Sequence, residues 1–314
     1  MLTKQPSLHL RAVIQALLVT FLWSTSFVLM KIGLQDIPAL PFAGLRYALA
    51  FLCLLPFALR PAQRAALAGL PRRRWAQLIA LGLVFYAATQ GAQFLSLAYL
   101  PAVTTSLLLN FTPVVVALLG ILLLNERPAA HQWGGMTITL AGALIYFYPV
   151  AFPEREAFGI LVAAGGVFAN AGSSLLGRWI NRDGDLSPLT VTVVSMGVGA
   201  AALLAGGAAV QGIPPLSPTH WAIIGWLAVV NTAFAFTLWN LTLRTLPAME
   251  SSLINNTMLI QIAVLAWLFL GETLTLQEAV GLALAGLGVL IVQLRRRPEA
   301  RRAPQPEEKR PGRT

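Results

Sequence analysis

Uncharged polar side chains recur at helical spacing inside apolar stretches of this 314-residue sequence. Tyr86, Gln90 and Gln93 lie at i, i+4 and i+7, and Ser106 and Asn110 lie at i and i+4. Each set therefore occupies one face of a helix. Amides and hydroxyls donate and accept hydrogen bonds without carrying a charge. The chemistry that these residues offer is recognition of a small polar molecule, not proton transfer.

Aromatic side chains follow the same spacing in other apolar stretches. Trp23 precedes Ser26 by three positions, and Phe236 precedes Trp239 by three. Small-molecule sites are mostly apolar and aromatic, with a few polar groups that fix the ligand. We therefore predict a cavity with amides and hydroxyls on one wall and aromatic rings on the other. Its predicted binding residues are Trp23, Ser26, Tyr86, Gln90, Gln93, Asn110, Asn170, Phe236, Trp239 and Asn256.

The composition places these residues in a membrane. The chain is 57% hydrophobic and 11% charged, whereas a soluble domain carries about a quarter charged residues. A membrane-spanning helix needs about 20 mainly apolar residues. Ten stretches meet this length approximately, which predicts an all-α integral membrane protein. They are residues 12–33, 38–59, 76–98, 102–124, 132–149, 157–180, 188–210, 219–243, 248–270 and 276–294.

The charges predict an orientation and exclude a nucleic-acid partner. Most of the 22 lysines and arginines fall in loops that alternate spans place on one side. Basic loops stay in the cytoplasm, so we expect both termini inside and the chain in the plasma membrane of the cell. Residues 295–314 are basic and proline-rich, which predicts a disordered cytoplasmic tail. The net charge of +10 thus reflects topology.

The membrane setting gives the polar candidates a second interpretation. Asparagine, glutamine and serine between membrane helices often hydrogen-bond one helix to another, and Trp23 and Trp239 are of a type that anchors helices at the lipid interface.

Arg46, inside the second span, is suited either to neutralise a substrate carboxylate or to bind helix-end carbonyls at the bundle edge, and we favour the second role. Glu126 and Glu272 are expected to cap the next helix.

Catalytic and metal-binding groups are missing from the spans. No aspartate or glutamate lies deep in any stretch, and the three histidines fall at predicted helix ends. The single cysteine, Cys53, excludes an intrachain disulfide and a multi-cysteine metal site. Without convergent acid and base groups, we predict that the chain is not an enzyme and needs no cofactor or metal. For the same reason we expect flux down a gradient without proton coupling.

One segment is written twice in the chain. Residues 99–110 read YLPAVTTSLLLN, and residues 245–256 read TLPAMESSLINN, 146 positions later. The match pairs spans 3, 4 and 5 with spans 8, 9 and 10. Because five spans separate the copies, the halves cross the bilayer in opposite directions. We therefore predict two inverted five-helix repeats, residues 12–149 and 157–294, which is an arrangement of many secondary transporters.

These residues also resemble a known family. FLWSTSFVLMK in span 1, Arg46 in span 2 and SLAYLPAVTTSLLLNFTPVVVALLGILLLNERP in spans 3 and 4 are similar to the drug/metabolite transporter superfamily, EamA type. The resemblance implies ten helices, two tandem EamA domains, a central cavity and export of amino acids or other metabolites. The second half departs from the first at Leu259, which stands where the first half has Pro113, so a symmetric kink is not expected.

The predicted function is secondary transport. We expect an exporter of small neutral or zwitterionic metabolites, such as amino acids, that works by alternating access between the repeats. The alternatives are a multidrug efflux carrier and a flippase for lipid-linked sugars. The expected partners are a small-molecule substrate and the lipid bilayer, and one chain suffices to enclose a path, so a monomer is possible.

Overall fold

The computed structural model describes residues 6–124, 129–149, 153–182, 186–243, 245–246 and 248–293. Within these ranges every regular element is helical. The α-helices are α1 (Pro6–Gly33), α2 (Ala39–Ala58), α3 (Pro61–Ala68), α4 (Arg72–Leu81), α5 (Gln90–Tyr99), α6 (Ala102–Leu109), α7 (Thr112–Leu124), α8 (Ala130–Tyr146), α9 (Glu154–Arg182), α10 (Pro188–Gln211), α11 (Pro218–Ala228), α12 (Ala235–Thr242), α13 (Ala248–Leu270) and α14 (Leu276–Gln293). Two π-helical segments are π1 (Gly82–Thr89) and π2 (Val229–Phe234). The predicted tail at 295–314 lies outside the described residues.

Nine helical stretches in the described part of the chain are long and apolar enough to cross a membrane. Large side chains such as Leu161, Phe168 and Trp267 are at least 60% exposed on their outer faces, as expected of helices that face lipid. The all-helical membrane class predicted from composition is therefore confirmed. The stretch predicted at 132–149 forms α8, which has 17 residues. At 1.5 Å per residue it spans about 26 Å, short of the about 30 Å hydrocarbon core.

Small residues let the helices approach closely. α8 packs along α14, where Gly135 faces Gly288 and Gly142 faces Gly281. A Cβ atom built on Gly135 would lie 2.7 Å from the Gly288 carbonyl oxygen, and one on Gly281 would lie 2.6 Å from a backbone nitrogen of α8. Glycine at such contacts brings two backbones together without a side chain between them, which is how membrane helices gain packing energy.

The fourth predicted span is broken, whereas its counterpart is not. α6 ends at Leu109 and α7 starts at Thr112. Pro113 has no N–H, so it cannot donate to the Leu109 carbonyl four residues earlier. The Thr112 hydroxyl donates to that carbonyl instead, at 2.8 Å. α13, which carries Leu259 at the matching position, runs unbroken from Ala248 to Leu270, so the kink is not symmetric.

Each half also contains a π-helical segment at a matching place. π1 interrupts the helix between α4 and α5, and π2 interrupts the helix between α11 and α12. In each segment a threonine hydroxyl donates to the carbonyl five residues earlier: Thr89 to Val84 at 2.9 Å, and Thr232 to Leu227 at 2.8 Å. A π-helical turn contains more residues than an α-turn. Side chains beyond it therefore face a different direction from that predicted by α-helical spacing.

Candidate functional site

A cavity of about 320 Å³ lies inside the helix bundle. Its walls come from α1, α2, π1, α5, α6, α9, α12 and α13, so both halves of the chain contribute. Its polar side chains are Trp23, Ser26, Arg46, Tyr47, Thr89, Gln90, Gln93, Ser106, Asn110, Asn170 and Asn255, and its apolar ones are Phe27, Phe85, Leu109, Phe236, Met258, Leu259 and Ile262. The volume is at the lower end of the range for small-molecule sites.

The structure brings seven of the ten predicted binding residues to this cavity. They are Trp23, Ser26, Gln90, Gln93, Asn110, Asn170 and Phe236. The other three, Tyr86, Trp239 and Asn256, do not line it, and each has a local reason.

Tyr86 is turned into the core by π1. It is 4% exposed and packs on Tyr47, with ring centroids 5.5 Å apart. The prediction assumed α-helical spacing from Tyr86 to Gln90, but the π-helical turn between them shifts the phase. Phe85 and Thr89 face the cavity in its place.

Asn256 lies one position away from the lining face of α13. That face carries Asn255, Met258, Leu259 and Ile262, which follow the i, i+3, i+4 and i+7 spacing of one helix stripe. Asn256 is rotated by one residue, or 100°, from Asn255. Its amide nitrogen Nδ2 is nevertheless buried without a hydrogen-bond partner.

Trp239 supports the cavity wall from behind. The Trp23 ring lies between two aromatic rings, with its centroid 5.2 Å from that of Phe236 and 5.3 Å from that of Trp239. Phe236 reaches the cavity, whereas Trp239 packs toward Ala12, Ala16 and Leu246. Trp239 therefore orients Trp23 and does not face the cavity itself.

Some of the polar lining residues also join helices. The amide nitrogen of Asn231 in π2 donates to the Ser26 hydroxyl at 2.9 Å and to the Leu22 carbonyl in α1. The Asn170 amide donates to the Thr112 hydroxyl at 3.2 Å, which links α9 to α7. The interhelical interpretation thus applies to Ser26 and Asn170 beside their position on the cavity wall. Asn231, which is fully buried, was not among the predicted residues.

Arg46 lies on the cavity wall and not at the bundle edge. It is 5% exposed. Its Nε donates to the Thr232 hydroxyl at 3.0 Å, and its Nη1 lies 3.3 Å from the Met30 sulfur. Its guanidinium carbon is 5.4 Å from the Tyr47 ring centroid and 5.9 Å from that of Phe94. The bonds to helix-end carbonyls that the sequence favoured are made by Lys31, not by Arg46.

Lys31 and Glu272 bind the two helix ends at the junction of α5 and α6. The Lys31 ammonium donates to the Leu97 and Leu100 carbonyls at 2.8 and 2.7 Å. The Glu272 carboxylate accepts from the backbone N–H groups of Ala102 and Val103 at 2.7 and 3.1 Å. A cation at a helix C-terminus and an anion at an N-terminus both oppose the helix dipole.

The capping prediction was thus right in kind for Glu272 but wrong in target. Glu272 caps α6 in the other half of the chain, because Gly271 turns the chain there with a φ of 68°. The Glu272 N–H then bonds to the Ala266 carbonyl six residues earlier. α14 is capped by Thr275 and Glu278, which form a capping box with reciprocal bonds of 2.7 and 3.2 Å. Glu126 lies outside the described residues.

The family model for the EamA-like transporter family matches residues 10–148 and 157–294, which is most of the chain. The chain belongs to this family. It is 26% identical to a probable amino-acid metabolite efflux pump of Salmonella typhimurium, over 91% of this chain and 96% of that protein. It is 25% identical to an S-adenosylmethionine/S-adenosylhomocysteine transporter of Chlamydia trachomatis, with 83% of each covered. It is also 26% identical to an uncharacterized transporter of Bacillus subtilis, YoaV, over 87% of this chain and 93% of that one.

A solved crystal structure has the same fold. It superimposes with a TM-score of 0.64 over 90% of this chain and 97% of its own, at 18% sequence identity. Together with the family match, these relatives establish a multi-pass membrane transporter of the plasma membrane, and not an enzyme. The cavity is therefore the candidate substrate site of this EamA-like transporter.

Proposed function

We propose that this EamA-like transporter exports small neutral or zwitterionic metabolites, such as amino acids, by alternating access between two inverted five-helix repeats. The observation that carries the proposal is the cavity, because both halves of the chain line it. A site at such an interface can be exposed to one side of the membrane and then to the other when the halves rock against each other. We place the repeats at residues 12–149 and 157–294, with both termini in the cytoplasm.

The helix contacts support the repeats. α1 contacts α13. In the proposed repeat, α9 is the counterpart of α1, and α6 with α7 is the counterpart of α13. α9 contacts both α6 and α7, as the repeat requires. The pairs α2 with α10 and α8 with α14 are each converted into themselves, and both are contacts. A pseudo-two-fold axis in the membrane plane would produce this pattern, and the paired π-helical segments follow it too.

The chemistry of the lining supports the substrate class. Gln90, Gln93, Asn110 and Asn255 offer uncharged donors and acceptors that suit both groups of a zwitterion. Met258, Leu259 and Ile262 give the cavity an apolar wall that suits a hydrophobic side chain. The relatives in Salmonella and Chlamydia are named for amino-acid metabolites and for S-adenosylmethionine, and the latter contains an amino-acid group.

Untargeted metabolite profiling of cells and medium tests the proposal. Cells would express the intact protein, Trp23→Ala or Trp133→Ala. Trp133 is 51% exposed and lies outside the cavity lining, so it controls for the loss of an indole ring. We expect one class of small metabolite to accumulate outside with the intact protein and the Trp133 variant but not with the Trp23 variant. If inserted, folded protein moves no soluble compound, the proposal is wrong and lipid flipping becomes the function to test.

A further inference from the structure

We infer that Arg46 is the carboxylate-binding residue of the cavity, so that the exported molecule must carry a carboxylate group. This inference rests on the proposed function and names its substrate class more narrowly. It starts from the charge of Arg46, which the described structure leaves without an ionic partner.

The Arg46 guanidinium is buried and has no counterion in the described part of the chain. Its partners there are a hydroxyl, a thioether and two aromatic rings. Aspartate and glutamate are absent from the described residues that line the cavity. An arginine remains charged in a protein, and an ionised group buried without a partner is costly. Intramembrane charges accordingly pair with one another or mark a ligand path.

The other unpaired polar atoms of the lining are also donors. Among the described residues, the indole Nε1 of Trp23 and the amide Nδ2 of Asn110 are buried without a hydrogen-bond partner. An indole N–H can only donate, and a guanidinium carries five N–H groups and no acceptor. Buried donors seek acceptors. The described lining therefore holds one positive charge and two side chains whose donors lack an acceptor within the protein, and a carboxylate with its two oxygens offers acceptors for such groups.

The remaining wall limits the rest of the molecule. Phe27, Phe236, Met258, Leu259 and Ile262 are apolar, so the part of the substrate opposite its carboxylate is hydrophobic. Among the described lining residues, the substrate's amino group would find amide oxygens and no carboxylate. A molecule that keeps the carboxylate and lacks the amino group, such as a 2-oxo acid, therefore fits this cavity better than an amine that lacks the carboxylate.

A purely structural role for Arg46 predicts a different effect of its replacement on the melting temperature of the protein. If its contacts to Thr232, Met30 and the rings hold the bundle together, Arg46→Met must lower the melting temperature of the purified protein. If Arg46 instead binds a ligand, the ligand-free protein contains an unpaired buried charge. Replacing Arg46 with methionine removes this unfavourable charge, so the variant melts at the same temperature or a few degrees higher. Methionine is suited to the comparison because it is long, flexible and apolar.

The decisive experiment repeats the metabolite profiling with Arg46→Gln, Arg46→Lys and Arg73→Gln. Arg73 stacks on Trp179 at the protein surface, so its variant loses the same charge away from the cavity. We expect the intact protein and the Arg73 variant to export carboxylates. Arg46→Gln should lower that export about 10- to 100-fold, the loss expected for a charge-assisted bidentate contact. Arg46→Lys should be intermediate, because it keeps the charge but not the fork.

A second measurement does not depend on the folding of any variant. The exported carboxylate and its carboxamide would each be added to the purified intact protein, and only the carboxylate should raise the melting temperature. Export of compounds without a carboxylate, equal export by Arg46→Gln, or equal stabilisation by the carboxamide would overturn the inference while leaving the proposed function standing. Absence of any export by the folded intact protein would overturn both.

Discussion

Replacing Glu272 with glutamine should open the end of the bundle that contains Lys31. Fully buried side chains, Met30, Leu97 and Val103, lie along their helices between the cavity-lining positions and this end. The Glu272 carboxylate crosses from one half of the chain to the α6 N-terminus in the other. If the halves separate here during transport, this contact must break, so it stabilises the conformation in which this end is packed.

The size of the effect follows from the two bonds. Glutamine keeps one acceptor oxygen, so the variant loses one backbone bond and the negative charge at the helix terminus. A hydrogen bond to a charged group contributes about 1.5–3 kcal/mol, and a charge at a helix N-terminus about 0.3–1 kcal/mol. We take a combined loss of about 2 kcal/mol. Since 1.4 kcal/mol is a factor of ten, the population open at this end should rise about 30-fold.

Labelling of a cysteine in the cavity measures this population. Cys53 would be replaced by serine, and cysteine introduced at Leu109, which lines the cavity. A membrane-impermeant maleimide would be applied from the side that faces Lys31, the outer side in the proposed orientation. Glu272→Gln should raise the labelling rate up to about 30-fold, the factor derived above from the lost cap.

Glu278→Gln is the matched control. Glu278 caps α14 within its own half, with a 2.7 Å bond to the Thr275 N–H, so its loss removes similar chemistry without releasing a contact between the halves. This variant should leave the labelling rate unchanged. If the Glu272 and Glu278 variants were labelled at the same rate, whether both rates rose or both stayed at the original value, the reasoning would be refuted.

Three further substitutions test the packing and the cavity. Gly142→Val should abolish folded protein, since its Cβ would meet backbone atoms of α14, whereas Gly134→Val, with open space around it, should fold normally in a thermal-melt assay. Thr112→Val removes the hydroxyl that binds both a freed carbonyl and an amide, and should cost about 1–3 kcal/mol in unfolding free energy, with Thr112→Ser close to the original. Asn110→Ala should lower export about tenfold at constant protein level, because it removes a donor to the ligand, whereas Asn256→Ala, outside the lining, should not change export.

The helical stretches could be predicted from sequence because apolar length in a membrane protein is a strong signal. The cavity residues could be predicted in part, because Gln90 and Gln93 lie within α5 and Asn110 directly follows α6, so α-helical spacing applies up to these positions. The direction of the Tyr86 side chain could not be predicted, because the π-helical turn depends on how π1 packs against α10 and α9. The spacing of residues 82–89 does not indicate a π-helical turn.

Contacts between the two halves of the chain could not be predicted from the sequence either. Glu272 was expected to cap a helix, and carboxylates near helix ends do so. Which helix it caps depends on where Gly271 points the chain relative to α6, and that depends on the packing of two distant segments. The sequence shows Arg46 as an intramembrane charge, but its place on the cavity wall, with no described carboxylate beside it, depends on how the helices pack.

Features that recur in both halves of the chain differ in their proposed role from features that occur in one half only. The paired glycines of α8 and α14, the π-helical segments and the contact pattern recur in both proposed repeats, and these are the parts that two alternating conformations would share. The cavity lining does not recur: Gln90 corresponds to Phe236 at the repeat offset, and Pro113 to Leu259. A symmetric lining would bind a ligand in two opposite orientations. Arg46 lies on one wall, and Met258, Leu259 and Ile262 of α13 lie on another. The inferred carboxylate substrate would therefore bind in one orientation while the proposed repeats alternate.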